Sequence, residues 1–192
     1  MLRKALLAGA LLLAGCRSHT FAGTEFPGAP PAAEIVLTAH TGETFRLSDS
    51  KDKLTLLFFG YTNCPDICPA TLGVATQMLE RLGNDAGRVQ FLFVTSDPER
   101  DTPAVLAQYV ARFHPNVIGL TGTADALKAV EGAYGGMSEV EAHNNGDTSA
   151  AYEVGHTSRV YLIDARGVLR LAYLAGVSAG DLLADIQYLL SA

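Results

Sequence analysis

The chain has 192 residues, 48% of them hydrophobic, and carries 14 basic against 20 acidic side chains, a net charge of −6. That balance excludes nucleic acid as a partner and electrostatic docking on anionic lipid as a mode of attachment. The length suits one domain with a full core.

The elements follow in chain order. Arg3 and Lys4, the apolar run 5–14 and the small residues Ala14 and Gly15 before Cys16 have the layout of an export signal. The run is too short to span a bilayer, which takes about 20 apolar residues. Leu13-Ala14-Gly15-Cys16 resembles the bacterial lipobox. It implies that residues 1–15 are a lipoprotein signal, removed before a lipidated Cys16. The expected protein is exported and faces the periplasm or cell exterior, held to a membrane by acyl chains. Loss of Arg3 and Lys4 leaves 12 basic residues against 20 acidic. Residues 16–32, with Pro27, Pro30 and Pro31 among Ser, Gly and Ala, read as the lipidated cysteine and a flexible tether. Residues 33–192 then form the domain, with no internal repeat.

Residues 34–37 and 44–47 predict a short hairpin, and the continuous apolar run 54–59 a strand covered on both faces. Leu72, Ala75, Leu79 and Leu82 predict a helix over 69–82. A second buried strand follows over 89–95. Thr102-Pro103 opens a helix whose core face is Leu106, Tyr109, Val110 and Phe113. A strand over 117–120 and a helix over 124–134 come next. Residues 135–152 read as an extended hairpin turning at Asn145-Gly146. Strands over 159–163 and 168–174 and a helix over 178–190 complete the chain. Without the first hairpin and the inserted one, the order is strand, helix, strand, helix, strand, strand, helix. That predicts an α/β class with a thioredoxin-like arrangement, carrying an N-terminal hairpin and an inserted helix and hairpin before the last two core strands.

Cys64 and Cys68 stand between the strand at 54–59 and the helix after it. Once Cys16 is assigned to lipid, they are the two remaining thiols. A disulfide closing so small a loop would constrain the unfolded chain little, so a structural staple is a poor reading. The helix N-terminus favours thiolate, the reactive form in disulfide exchange and the form that binds soft metals. Pro65 and Pro69 stiffen the loop. In a thioredoxin-like fold the segment before the strand at 159 faces the cysteine loop, which puts His156 opposite Cys64 and Cys68. Two thiolates and an imidazole suit Cu(I), or Cu(II) with an added oxygen ligand. Zinc would want a fourth ligand, and no strong one is evident. Asp97 ends a strand beside the cysteine loop, where it would tune the thiols or touch a partner; turn and capping chemistry explains every residue of 97–103 and is the preferred reading. His19, His40, His114 and His143 read as tether, turn, helix-end and solvated residues. Met137, in a Gly-rich loop, reads as packing or exposure.

Tyr61-Thr62-Asn63-Cys64-Pro65-Asp66-Ile67-Cys68-Pro69, then Asp97-Pro98-Glu99-Arg100-Asp101-Thr102-Pro103, then Gly155-His156-Thr157 resemble the Sco/SenC family in order and spacing. These are membrane-tethered copper proteins that help assemble the dinuclear copper centre of cytochrome c oxidase. The resemblance covers about residues 30–190. It implies copper on Cys64, Cys68 and His156. It implies as partners the oxidase subunit that houses the copper centre, and another protein as copper donor. It also implies a redox pair, Cys64 and Cys68, able to reduce the target's cysteines. The expected role is primarily that of a metallochaperone, with thiol–disulfide oxidoreductase activity as the enzyme reading. One departure is visible: family members often carry His where Asn63 stands. A general exported thiol–disulfide oxidoreductase without copper is the alternative. The cysteines, however, have three residues between them rather than two, and His156-Thr157 stands where thioredoxins carry a proline. A peroxiredoxin motif does not fit around either cysteine.

Overall fold

A computed structural model describes residues 19–135, 138–141, 153–156 and 159–191, and the side chains of 19–135 and 159–191. Its centre is a sheet built on two apolar strands, β4 (Leu54–Gly60) and β5 (Val89–Thr95), in which every residue is buried. Strands covered on both faces need no polar alternation, which is why both read as continuous apolar runs. They pair in parallel, Leu54 opposite Val89 through Gly60 opposite Thr95. β6 (Val117–Thr121) continues the parallel set beyond β5.

On the other side of β4, β9 (Arg159–Ile163) runs antiparallel, with Phe58 opposite Val160, and β10 (Leu169–Leu174) pairs antiparallel with β9. The first hairpin, β2 (Val36–Ala39) and β3 (Thr44–Arg46), adds to β6 at the far edge. A two-residue strand, β1 (Thr24–Glu25), closes the near edge on β10. The order across the eight strands is β1-β10-β9-β4-β5-β6-β2-β3.

Alternate residues of β4 and β5 feed two cores. Leu54, Leu56, Phe58, Phe91 and Phe93 face α1 (Ile67–Leu82), α2 (Pro103–Val110) and α4 (Ala179–Ser191). Leu57, Phe59, Leu92 and Val94 face α3 (Ala124–Ala133) and the chain before β2. Thr102 caps α2, its hydroxyl accepting from the Val105 N–H at 3.3 Å, with Pro103 at the first helical position. α1 begins at Ile67, two residues before the expected start. Pro69 sits in its first turn, where the missing N–H has no partner inside the helix anyway. α1 ends at Leu82 and passes into a 3-10 stretch, Gly83–Arg88.

The inserted hairpin is β7 (Ser138–Glu141) paired with β8 (Glu153–His156). Its second arm therefore lies beyond the 135–152 boundary and ends on His156 itself. The expected turn at Asn145-Gly146, Met137, His143 and Cys16 lie outside the described residues.

Residues 19–32 differ from the tether that their composition suggests: they lie against the domain. The Phe26 and Ala32 N–H groups donate to the Arg170 and Gly167 carbonyls at 3.0 and 2.8 Å, and the Leu169 N–H donates to Pro30 at 2.9 Å. The buried carboxylate of Asp185 on α4 accepts from the Ala22 N–H and the Tyr173 hydroxyl, each at 3.0 Å, and sits 2.6 Å from His19 Nε2. The His19 ring stacks on Tyr188 at 4.5 Å. Small residues that loosen a free chain also let a backbone lie flat on a neighbour. A Cβ on Gly23 would come within 2.8 Å of the Tyr173 ring.

Candidate metal and redox site

β4 leads straight into the cysteine loop, and the approach is tight. A Cβ on Gly60 would lie 2.7 Å from Cys68 Sγ, 2.9 Å from Phe93 and 3.0 Å from Phe58. Only a glycine lets the first turn of α1 press its sulfur against the strand end. The loop turns at Tyr61, whose carbonyl accepts from the Cys64 N–H at 3.2 Å. Cys64 Sγ then accepts from the Cys68 N–H at 3.4 Å, so a sulfur takes the place of a capping oxygen at the start of α1. Asp66, the residue preceding the helix, offers no side-chain cap.

The two thiols are in hydrogen-bonding contact, and their environments differ. Cys64 is 8% exposed and Cys68 0%. Burial pushes the Cys68 thiol well above its ordinary range. The Tyr61 N–H, which points at its sulfur, opposes that, while contact with Cys64 reinforces it. For Cys68 the expected thiolate-favouring effect of the helix N-terminus is therefore outweighed by desolvation.

The Asp97–Pro103 stretch reaches the loop through two carboxylates with different partners. Asp97 pairs with Arg100, whose guanidinium lies over the Tyr61 ring, 5.8 Å from its centroid. The Asp97 N–H donates to Thr95 Oγ1 at 2.9 Å. Asp101, fully buried, is the carboxylate that grips the loop. It accepts from the Thr62 N–H at 3.0 Å, the Thr62 hydroxyl at 2.5 Å and the Thr95 hydroxyl at 2.6 Å. Sequence reasoning singled out Asp97 and passed over Asp101. The signal available was the second Asp, four residues on, directly before the Thr102 cap.

His156 ends β8, three residues before β9 begins. β9 enters the sheet beside the end of β4 from which the cysteine loop leaves. The His156 side chain lies outside the described residues. Among the described side chains, Cys64 and Cys68 come together as two soft donors, and no group of three metal-ligating residues forms. Two adjoining buried thiols fit a thiophilic ion such as copper. No helix among the described residues is long and apolar enough to cross a membrane.

The family model for SCO1/SenC matches residues 28–191. A SCO2-like protein of Rickettsia felis is 41% identical over 135 residues, which is 70% of this chain and 64% of that protein. The chain thus spans just under two thirds of that relative's length. The solution structure of apo Sco1 from Thermus thermophilus matches with a TM-score of 0.80 and 35% identity, covering 91% of this chain and 99% of the other. The structure of Bradyrhizobium japonicum ScoI with copper bound matches with a TM-score of 0.75 and 32% identity, covering 83% and 99%. The thioredoxin-like arrangement expected from element order agrees with these neighbours.

Proposed function

Since the chain belongs to the SCO1/SenC family, we propose that it carries copper on Cys64, Cys68 and His156 as cargo for the copper centre of cytochrome c oxidase. The observation that carries this reading is the pair of adjoining thiols at the mouth of α1, both buried, with Cys64 8% exposed and Cys68 0%. Thiolates and an imidazole are the donors that copper prefers among protein side chains. Burial holds the Cys68 thiol protonated, so taking up the metal must displace a proton and giving it up restores one. Such a coupling weakens the site at neutral pH relative to a pair of preformed thiolates. That suits a carrier better than a permanent holder.

The same pair supports thiol–disulfide exchange with the target. Cys64, the less buried sulfur, attacks a target disulfide to form a mixed disulfide. Cys68 then displaces the second target sulfur, leaving the target with two thiols and this pair oxidised. We further propose that Cys16 is lipidated, tethering an exported protein to a membrane near the oxidase subunit and a copper-donor protein. Asp97, through Arg100 and Tyr61, is proposed to shape the face of the cysteine loop.

The test is a Cu(I) competition titration of the reduced protein against a chromophoric chelator, with His156→Ala beside it. The expected result is one tight equivalent in the parent. The variant should be weaker by more than the roughly 10–100-fold that loss of a supporting group costs a metal site. Absence of tight binding with both thiols reduced would overturn the copper reading and leave thiol exchange as the function.

A further inference from the structure

The ladder between β4 and β5 ends with Gly60 opposite Thr95, and the Ser96 N–H donates to the Gly60 carbonyl at 2.8 Å. Past that point β5 no longer runs beside the cysteine loop. A backbone N–H drawn away from water beyond the ladder still needs an acceptor. Asp101 supplies one from across the sheet end. One carboxylate oxygen accepts from the Thr62 N–H at 3.0 Å and from the Thr95 hydroxyl at 2.6 Å. The other accepts from the Thr62 hydroxyl at 2.5 Å. The carboxylate therefore stands in for the missing strand and carries the join from Gly60 on to Thr62, two residues short of Cys64. The turn that bears it is itself fixed. The Asp101 N–H donates to the Asp97 carbonyl at 2.9 Å, and the next residue, Thr102, caps α2.

Asp101 is 0% exposed, and no basic side chain pairs with it among the described residues. A buried carboxylate without a cation is costly to keep, and here three neutral donors alone compensate it. Departures of that kind from good core chemistry collect at functional sites. Beyond Thr62 the chain passes through Asn63 to Cys64, whose N–H closes the turn on the Tyr61 carbonyl at 3.2 Å. Cys64 Sγ then receives the Cys68 N–H at 3.4 Å. Resting on the copper and thiol reading of that pair, we propose that Asp101 is a positioning residue. By pinning Thr62 at both its N–H and its hydroxyl, it fixes the turn 61–64 and with it the placement of Cys64 Sγ against Cys68. Gly60 admits the buried sulfur to the strand end; Asp101 holds the outer one over it.

The test is a double-mutant cycle on the full chain with Asp101→Ala and Thr62→Val, and Thr62→Ser as the conservative variant. Cu(I) affinity is read by chelator competition. The dithiol–disulfide equilibrium of Cys64 and Cys68 is read against glutathione, one oxidised glutathione yielding two thiols for each disulfide closed. Each single variant should weaken copper by roughly 10-fold or more, the cost of losing an outer support of a metal site. A loosened loop brings the sulfurs together less often, so the glutathione equilibrium should move toward the dithiol. The double variant should be no worse than the weaker single one, because both substitutions cut the same join. Thr62→Ser keeps the hydroxyl and should match the parent. A lower Tm with copper affinity unchanged marks a structural role only and overturns the assignment. So do weaker copper binding with an unmoved glutathione equilibrium, and penalties that add in the double variant. If Asp101→Ala does not fold, the contrast between Thr62→Val and Thr62→Ser decides in its place. If the parent itself takes no copper, the copper reading falls separately. The glutathione equilibrium then decides alone: a shift in Thr62→Val that Thr62→Ser abolishes upholds the Asp101 role, and no shift ends it.

Discussion

Gly60→Ala is the sharpest probe of how the fold sets the site. The added methyl would lie 2.7 Å from Cys68 Sγ, where ordinary contact begins near 3.4 Å, so the sulfur must retreat by about 0.7 Å. It cannot retreat freely, because Cys68, Phe58 and Phe93 are all fully buried. Overpacking a well-filled core costs about 1–3 kcal/mol. At about 2–4 °C per kcal/mol for a chain of this size, a 2 kcal/mol loss lowers Tm by about 4–8 °C. Gly73→Ala is the matched control. Gly73 lies within α1 and a Cβ there meets nothing within 4 Å. Alanine in a helix interior gains about 0.5–1 kcal/mol over glycine, so this variant should melt higher. The displacement at Cys68 also exceeds the roughly 0.5 Å within which a binding constellation must be held, so Cu(I) affinity should fall in Gly60→Ala and stay put in Gly73→Ala. Thermal unfolding of the reduced, metal-free proteins and chelator competition read both effects. Equal Tm and equal affinity in the parent and Gly60→Ala would refute the idea that the strand end positions the buried sulfur.

Two further outcomes follow from the buried polar groups. Asp101→Ala removes the acceptor for Thr62 and Thr95, leaving three donors without it. The expected loss is about 3 kcal/mol, with faster hydrogen exchange at the Thr62 amide; a Tm within about 2 °C of the parent would contradict it. Stability should also fall at both ends of the pH scale. Cys68, Tyr109, Tyr134 and Tyr173 are all raised from ordinary values of 9.0 or 10.0 by burial. The stability they contribute is therefore complete below those values and drains away as pH climbs past them. Asp164 moves the other way. Burial alone would raise it, but the Val168 and Arg166 N–H groups and the Arg166 and Arg170 guanidiniums prevail and lower it from 3.8. Its contribution is present above 3.8 and fades as pH falls further, a limb that Asp164→Asn should flatten in a series of melts against pH.

The core strands were readable in advance because burial on both faces leaves an unbroken apolar run, as in β4 and β5. The cysteine loop was readable for a similar reason: a strand that ends in paired thiols before a helical stripe has few other uses. What periodicity does not carry is the identity of polar partners. Tyr109 was assigned to the core by its spacing, and the spacing says nothing of a hydroxyl that has no partner among the described residues. Asp97 and Asp101 look alike as turn residues, and only the three-dimensional path of the loop decides that Asp101 meets Thr62. The segment 19–32 was misjudged because Gly, Ala and Pro are common both to free linkers and to chains laid closely along a sheet edge. The hairpin's second arm was placed too early, since its alternating pieces do not mark which of them pair.

The docked segment has a bearing on how the protein avoids its own kind. β10 would otherwise be an outer strand with a row of open amides and carbonyls, a template for addition of a second chain. The segment occupies that row with two ladder residues and a bridge at Pro31, and its three prolines have no N–H to offer a further strand. The sheet is thus finished on this side by a short border that offers little for a further strand to pair with. A chain trimmed to begin at residue 33 would keep Cys64, Cys68 and the four α-helices among the described residues, yet it would bare the edge of β10 to pairing with another chain.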